Sequence, residues 1–322
     1  AAAGGGGGLI SSPSNPFVKH CVKLRQNASY RRSCGCALVV GLTPIREISY
    51  RHQESIAHDG AGEPCVDCLL LLDGAEAAPG TACLLDELGL CGGDDSSSSG
   101  AGGAQVFRVT HVVMKKLAGL QSTDATEAVA VMRIPKSFHD VGSRRGEMAS
   151  CDSWFSSPPH RLLVLDGIQD PGNLGTLMRS AMAFKWDGVF LLPSCCDPFN
   201  DKALRAARGA SFYLTIVSGD WFNLEALKVK FQMKMLAALP ENISEKSKGH
   251  SPLILSQKLA ESLADVPLCL ALGSEGRGLS HQMMQSSEFV HIPMVGNFES
   301  LNVSVAGGIL MFNLQNKYCE NN

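Results

Sequence analysis

Three polar, glycine-marked turns hold the residues whose types and spacing could do chemistry. The first is Asp166-Gly167-Ile168-Gln169-Asp170-Pro171-Gly172-Asn173-Leu174-Gly175-Thr176-Leu177-Met178-Arg179. The second is Gly273-Ser274-Glu275-Gly276-Arg277-Gly278-Leu279, and the third runs from Ile292-Pro293-Met294-Val295-Gly296 through Glu299-Ser300-Leu301-Asn302-Val303-Ser304-Val305-Ala306. Each follows an apolar run that reads as a buried strand. A strand, a glycine-containing loop and a helix start place backbone N–H groups and small polar side chains at the carboxyl edge of a sheet, where open α/β sheets bind their ligands. Taken singly, Arg179 reads as a solvated helix residue, Glu275 as a turn residue and Asn173 as an N-cap. The third turn is denser: Ser300, Asn302 and Ser304 alternate with Leu301 and Val303, and a helix is expected from Glu299 to about Asn316. The chain has no G-x-G-x-x-G and no G-x-x-x-x-G-K, which argues against a Rossmann or P-loop nucleotide site. Gly276 and Gly278 would instead let backbone approach a ligand closely.

The elements that must position these turns are legible as pattern. Leu162–Leu165, Val189–Leu192, Tyr213–Val217, Met235–Leu239, Cys269–Leu272 and Phe289–Ile292 are apolar runs of the kind buried on both faces of a parallel sheet. Helices are expected over Asn173–Phe184, Asn200–Arg208, Trp221–Phe231 and Ser280–Gln285. This alternation predicts a mostly parallel sheet with helices on both faces. Upstream, Asn15–Gln26 reads as a short basic helix and His111–Leu120 as another, with a further helix start at Pro44–Tyr50. Strands are expected at Cys36–Val40, Cys68–Leu72, Val106–Val109 and Ala128–Ile134. The predicted organisation is a flexible Ala/Gly-rich tail over 1–14, a small α/β domain over 15–135, a linker over 136–159 and a second α/β domain over 160–318. The linker carries Arg144, Arg145 and Pro158-Pro159, while Asp94–Gly103 and Glu241–His250 read as polar loops.

At 322 residues, 45% hydrophobic and 18% charged, the chain can bury about two cores. A net charge of −3 carries no global basicity, so a nucleic-acid partner must be met by a local basic face. No apolar run is long enough to span a membrane. The twelve cysteines are scattered, many within apolar runs, which fits reduced buried thiols. Cys65-Val66-Asp67-Cys68 is a lone C-x-x-C and Cys34-Gly35-Cys36 has the wrong spacing to complete it, so no metal site is expected. The absence of an initiator Met and the Ala/Gly start fit a cloned fragment or a processed protein. They favour an organelle, chloroplast or mitochondrion, over the cytoplasm as the expected location.

Together, the three turns resemble the SpoU (TrmH-type) branch of the SPOUT RNA 2′-O-ribose methyltransferases. Asn173, Gly175 and Arg179 match its Asn-x-Gly-x-x-x-Arg motif, and Gly273, Glu275, Gly278 and Leu279 match its second motif. Ile292-Pro293-Met294, Gly296 and Ser300-Leu301-Asn302-Val303-Ser304-x-Ala306 match its third. The resemblance covers about Arg161 to Asn316. More loosely, the Asn15-Pro16-x-Val18-Lys19 start resembles the small α/β RNA-binding domain that often precedes this catalytic domain. The resemblance implies a SPOUT α/β domain with a deep trefoil knot, a rare exception to unknotted chains, and a homodimer with the site near its interface. It implies S-adenosyl-L-methionine as cofactor, rRNA or tRNA as partner, and neither membrane nor metal. Lys185-Trp186 departs from the pattern, standing where many relatives have Gly, and Asn313 replaces a frequent acid.

Residue by residue, the resemblance assigns Gly273, Ile292, Met294, Gly296 and Leu301 to the cofactor. It assigns Asn173, Arg179, Glu275, Ser300 and Asn302 to the catalytic set. Methyl transfer to a ribose hydroxyl is an in-line displacement that needs both reactants held in line and a proton removed. Arginine is effectively always protonated, so Arg179 is read as binding phosphate and stabilising a developing alkoxide rather than as a literal base. Arg205 and Arg208, with Lys19, Lys23 and Arg31, are the candidate RNA contacts. The alternative reading is a non-catalytic RNA-binding or ribosome-assembly factor of the same fold. Base methylation at cytosine C5 would need a nucleophilic Cys, and Cys195-Cys196 is read as structural.

Overall fold

The computed structural model describes residues 8–59, 65–90, 104–119, 126–142, 151–240, 252–296 and 299–316. The expected tail through residue 7, the serine-rich loop, Arg144 and Arg145, and the Glu241–His250 loop lie outside the described residues. The chain divides into two compact units. One gathers the chain up to Pro135 together with Phe199–Phe212, and the other gathers Lys136–Pro198 with the chain from Tyr213 onward.

The first unit is built from α1 (Pro16–Gln26), α2 (Ala28–Cys34), β1 (Cys36–Val40), α3 (Leu42–Asp59), β2 (Val66–Leu72), α4 (Pro79–Glu87), β3 (Gln105–Val109), α5 (His111–Ala118) and β4 (Ala128–Arg133). Asn15 caps α1, its Oδ1 accepting the Phe17 N–H at 2.8 Å, and Pro16 takes the first helical position. Asn27 ends α1, its backbone N–H donating to the Lys23 carbonyl, and caps α2, its Oδ1 accepting the Tyr30 N–H at 2.8 Å. The sheet order is β1-β4-β2-β3, antiparallel except for the β2–β3 pair. Val18, Cys21 and Leu24 of α1 pack with Val113, Met114 and Leu117 of α5 onto Leu38, Leu70 and Val129 of the sheet. Arg31, expected to face RNA, is instead buried. Its Nη1 donates to the Leu24 and Arg25 carbonyls at 2.6 and 2.8 Å. Those carbonyls belong to the last turn of α1, which has no further helical N–H groups to satisfy them.

The second unit contributes β5 (Phe138–Asp140), β6 (Arg161–Asp166), α6 (Pro171–Ala183), β7 (Gly188–Leu191), then, after α7 (Asp201–Ala207) of the first unit, β8 (Thr215–Ser218), α8 (Trp221–Lys230), β9 (Lys234–Ala238), β10 (Leu253–Ile254), α9 (Gln257–Ser262), β11 (Leu268–Gly273), α10 (His281–Ser286), β12 (Glu288–His291) and α11 (Val303–Asn313). Every described pairing in its sheet is parallel, in the order β10-β12-β9-β11-β6-β7-β8-β5. β6 is buried along its whole length, as a central parallel strand must be. β5, from the stretch read as a linker, pairs with β8 at the sheet's edge. It is too short for alternation to reveal. No described helix is long and apolar enough to cross a membrane.

Two local features fix α6 and α11. Gly307 of α11 meets α6 and β11 so closely that a Cβ would lie 2.4 Å from Leu177 Cδ2 and 2.6 Å from Leu272 Cδ1. Lys185, two residues past α6, has φ +53°, the left-handed conformation that a glycine adopts without strain. Gly307→Ala is therefore expected to lower unfolding free energy by about 1–3 kcal/mol through overpacking. Lys185→Gly is expected to raise it by roughly 0.5–1 kcal/mol. Urea denaturation of the two variants beside the parent measures both shifts.

Candidate active site

The three turns meet at the carboxyl edge of the parallel sheet. β6 ends at Asp166, and Gly167 turns the chain with φ +72°. Asp170 caps α6, its Oδ1 accepting the Asn173 N–H at 2.8 Å. The N-cap is thus Asp170 rather than Asn173, whose side chain remains available to reach elsewhere.

β11 runs into a tight hairpin closed by two backbone bonds, Ser274 N–H to Gly278 O at 3.1 Å and Gly278 N–H to Ser274 O at 2.8 Å. Glu275, Gly276 and Arg277 form its exposed tip. Gly273 passes so near that a Cβ would sit 2.5 Å from the Gly278 carbonyl carbon. Asp166 Oδ2 accepts the Ser280 N–H at 2.7 Å and so ties the first turn to the second.

The third turn departs from expectation at its helix start. Glu299 to Asn302 are not helical, and α11 begins at Val303 with Asn302 as N-cap. Asn302 Oδ1 accepts both the Ser304 N–H at 2.9 Å and the Ser304 hydroxyl at 2.6 Å. With its carbonyl occupied, Asn302 directs Nδ2 to Glu275 Oε1 at 2.8 Å and Asn173 Oδ1 at 3.2 Å. Asn173 Nδ2 donates to the same Glu275 oxygen at 3.0 Å. One residue from each turn thereby closes a hydrogen-bonded triangle. Glu275 Oε2 has no partner among the described residues.

Beside the triangle lies a cavity of about 460 Å³, within the roughly 300–1,000 Å³ of small-molecule sites. Leu239, Leu272, Val290, Ile292, Val303 and Leu310 give it apolar walls, while Gly273, Ser274, Glu275, Arg277, Glu299 and Ser300 add backbone and polar groups. Met294 and Leu301 also line it, whereas Gly296 does not belong to its wall. An apolar slot bordered by close-approaching backbone suits an aromatic heterocycle bearing polar substituents, which fits a nucleoside-type cofactor. Among the described residues, no group of His, Cys, Asp or Glu is arranged to hold a metal.

Other candidate residues fall elsewhere. Arg179 is exposed on α6 and makes no hydrogen bond or ion pair among the described residues. Helical geometry puts it about 120° around α6 from Asn173. Arg205 pairs with Asp201 at 3.2 Å, and Arg208 grips Glu47 through Nε and Nη2 at 3.1 and 2.6 Å, so both guanidinium groups are engaged by carboxylates. Lys19 is exposed, and Lys23 places Nζ 4.1 Å from the centre of the Tyr30 ring. Arg31 is buried, as described, and is not a surface contact. Burial pushes the Cys195 thiol up to about 11 and that of Cys196 to about 12, so neither is a ready nucleophile near neutral pH.

Asp166, Arg277 and Glu299 were not singled out from sequence, nor was the cavity wall at Ala238–Pro240. The first 46 residues hold six Lys or Arg and no Asp or Glu.

Residues 160–312 match the model of the SpoU rRNA Methylase family. Over 165 residues the chain is 36% identical to an uncharacterized tRNA/rRNA methyltransferase of Synechocystis, covering 49% of this chain and 55% of that protein. The matched region thus spans little more than half of that relative. Over 305 residues it is 28% identical to the 23S rRNA (adenosine(1067)-2′-O)-methyltransferase of Streptomyces azureus, covering 94% and 93% of the two chains. The solved structure of the SpoU methyltransferase AviRb from Streptomyces viridochromogenes, in complex with AdoMet, superposes with a TM-score of 0.70 at 19% identity, over 96% of this chain and all of that one. That likeness shows the shared α/β fold.

Gly273→Ala is expected to displace the 274–278 hairpin and open the triangle. Calorimetric titration with a nucleoside-type cofactor should then show affinity reduced at least tenfold. Unchanged affinity would mean that the hairpin is not part of the pocket.

Proposed function

We propose, for a chain whose residues 160–312 match the model of the SpoU rRNA Methylase family, that it transfers a methyl group from S-adenosyl-L-methionine to a ribose 2′-hydroxyl of rRNA or tRNA. The observation that carries this reading is the Asn173–Glu275–Asn302 triangle, one corner of which lines the cavity. The name of the Streptomyces azureus relative, a 2′-O-methyltransferase, supports the same reaction.

The cofactor supplies an electrophilic methyl group on sulfonium. Gly273, Ile292, Met294 and Leu301 hold it in the cavity, whose apolar walls exclude water, with Gly296 in the neighbouring turn. The ribose is oriented by Asn302, Ser300 and Glu275. Glu275 Oε1 is occupied by two amide donors, which leaves Oε2 to accept the ribose O–H and receive or relay its proton as the hydroxyl oxygen attacks. Arg179 brings a permanent positive charge to the adjoining phosphate and the developing alkoxide. The groups are pre-oriented by their own hydrogen bonds, so little reorganisation is left for the reaction.

The finer architecture belongs to the same proposal. A trefoil knot is supported by the placement of β11 between β9 and β6 and of β12 between β10 and β9. A homodimer is supported by apolar exposure on α11, where Val305 and Phe312 are 51% and 56% exposed and Phe312 stacks edge-on against Phe184 at 5.6 Å. An RNA-binding role for the first unit is supported by its acid-free start and by Lys19 and Lys23 on the exposed face of α1.

Arg179→Ala should abolish methyl transfer to RNA while leaving cofactor affinity within about twofold; an equal loss of cofactor binding would make Arg179 structural. Mass-spectrometric mapping of 2′-O-methyl nucleotides in cells with and without the protein should show at least one site lost. A protein that binds the cofactor while every RNA keeps its methylation would instead be a non-catalytic RNA-binding factor.

A further inference from the structure

The 274–278 hairpin carries two charged residues on either side of Gly276, and they are used differently. Glu275 turns inward, to Asn173 and Asn302. Arg277 is exposed; its backbone N–H donates to Ser274 Oγ at 3.2 Å, and its guanidinium makes no hydrogen bond or ion pair among the described residues. Among the described residues lining the cavity, Glu275 and Glu299 are acids and Arg277 is the one cation. The tip is sterically open: a Cβ built at Gly276 or Gly278 meets nothing within 4 Å.

A ribose 2′-hydroxyl is flanked by two backbone phosphates. Bringing it to this cavity presses anionic phosphate against a mouth that holds two carboxylates. That approach is repulsive unless a cation stands with them, and a guanidinium can pair with phosphate through two parallel N–H···O bonds. We propose that Arg277 positions the RNA at this site by pairing with a phosphate next to the target ribose. The assignment rests on the RNA 2′-O-methyltransferase reading. It makes Arg277 a positioning residue on the hairpin, separate from Arg179 on α6. Glu275 and Arg277 then divide the substrate between them, the carboxylate taking the hydroxyl and the guanidinium the neighbouring phosphate.

The test compares the parent with Arg277→Gln and Arg277→Lys, using bulk tRNA and fragmented large-subunit rRNA as probes. Arg277→Gln should raise the KM for RNA roughly tenfold, as loss of a charged hydrogen-bonded contact would, with kcat and cofactor Kd within twofold. The slope of log K against log salt in RNA-binding titrations should shrink by about 0.7, one phosphate's share for single-stranded RNA. Arg277→Lys should restore the salt slope and most of the KM, as a point charge without the paired geometry. An unchanged KM and slope in Arg277→Gln would overturn the assignment. So would a weakened cofactor Kd with RNA binding intact, which would place the guanidinium on the cofactor's carboxylate. The salt slope is read by binding, so it decides Arg277 even if the parent transfers no methyl group, an outcome that would overturn the catalytic reading instead.

Discussion

A buried guanidinium holds the second unit together. Arg161 opens β6 and is 1% exposed. Its Nε donates to Leu314 O at 2.6 Å, its Nη1 to Val266 O at 2.8 Å, and its Nη2 to Leu263 O and Ala264 O at 2.9 and 3.0 Å. These carbonyls stand just past the ends of α9 and α11, where a helix runs out of its own donors. Burial lowers the pKa of Arg161, opposed by Asp187 and Asp265. Burying such a charge costs several kcal/mol unless its donors are satisfied. Here partial negative charge at helix ends, rather than a bonded carboxylate, meets it. The result is one fixed point joining the start of the central strand β6 to the far end of α11.

That fixed point bears on the site because β6 and α11 each have a second end there. β6 finishes at Asp166, whose carboxylate ties down the Ser280 N–H. α11 starts at Asn302, whose side chain reaches Glu275 and Asn173. Gly307 seats the same helix on Leu177 and Leu272, and Trp186 Nε1 donates to Met311 O at 3.3 Å. The triangle joins residues 102 and 129 positions apart in the chain. Its geometry is therefore set by rigid elements locked elsewhere rather than by the turns themselves, which is the condition for an oriented catalytic group.

Much of this could be read from the residues. Continuous apolar runs marked the central parallel strands to within a residue or two, because a strand buried on both faces has no polar alternative. The family resemblance, rather than the pattern around any one of them, assigned Asn173, Glu275 and Asn302 to one site, and the structure brings those three together. Arg179 stood out on the same grounds and is left exposed on α6. Helix boundaries were weaker. The apolar positions Leu301, Val305, Leu310, Met311 and Leu314 extend the predicted helix back to Glu299, but Asn302 caps the helix and the preceding residues form the cavity lip. α2, α4 and β5 are short and carry too little period to detect.

The sequence by itself determined the central strands and the longer helices, which turns are polar, and where glycine lets backbone pass close to backbone. Those properties are local: they follow from side-chain period, from φ preference and from the size of one residue. Only the tertiary structure decided which arginines are inside. Arg31 and Arg161 read on the page like Lys19 or Arg179, yet they are buried because the carbonyls that receive them come from helix ends folded against them. Tertiary structure likewise decided that Arg208 is bound to Glu47 while Arg277 keeps its guanidinium free among the described residues. Charge is written in the chain; its partner is supplied by packing, and packing joins positions that no local pattern connects.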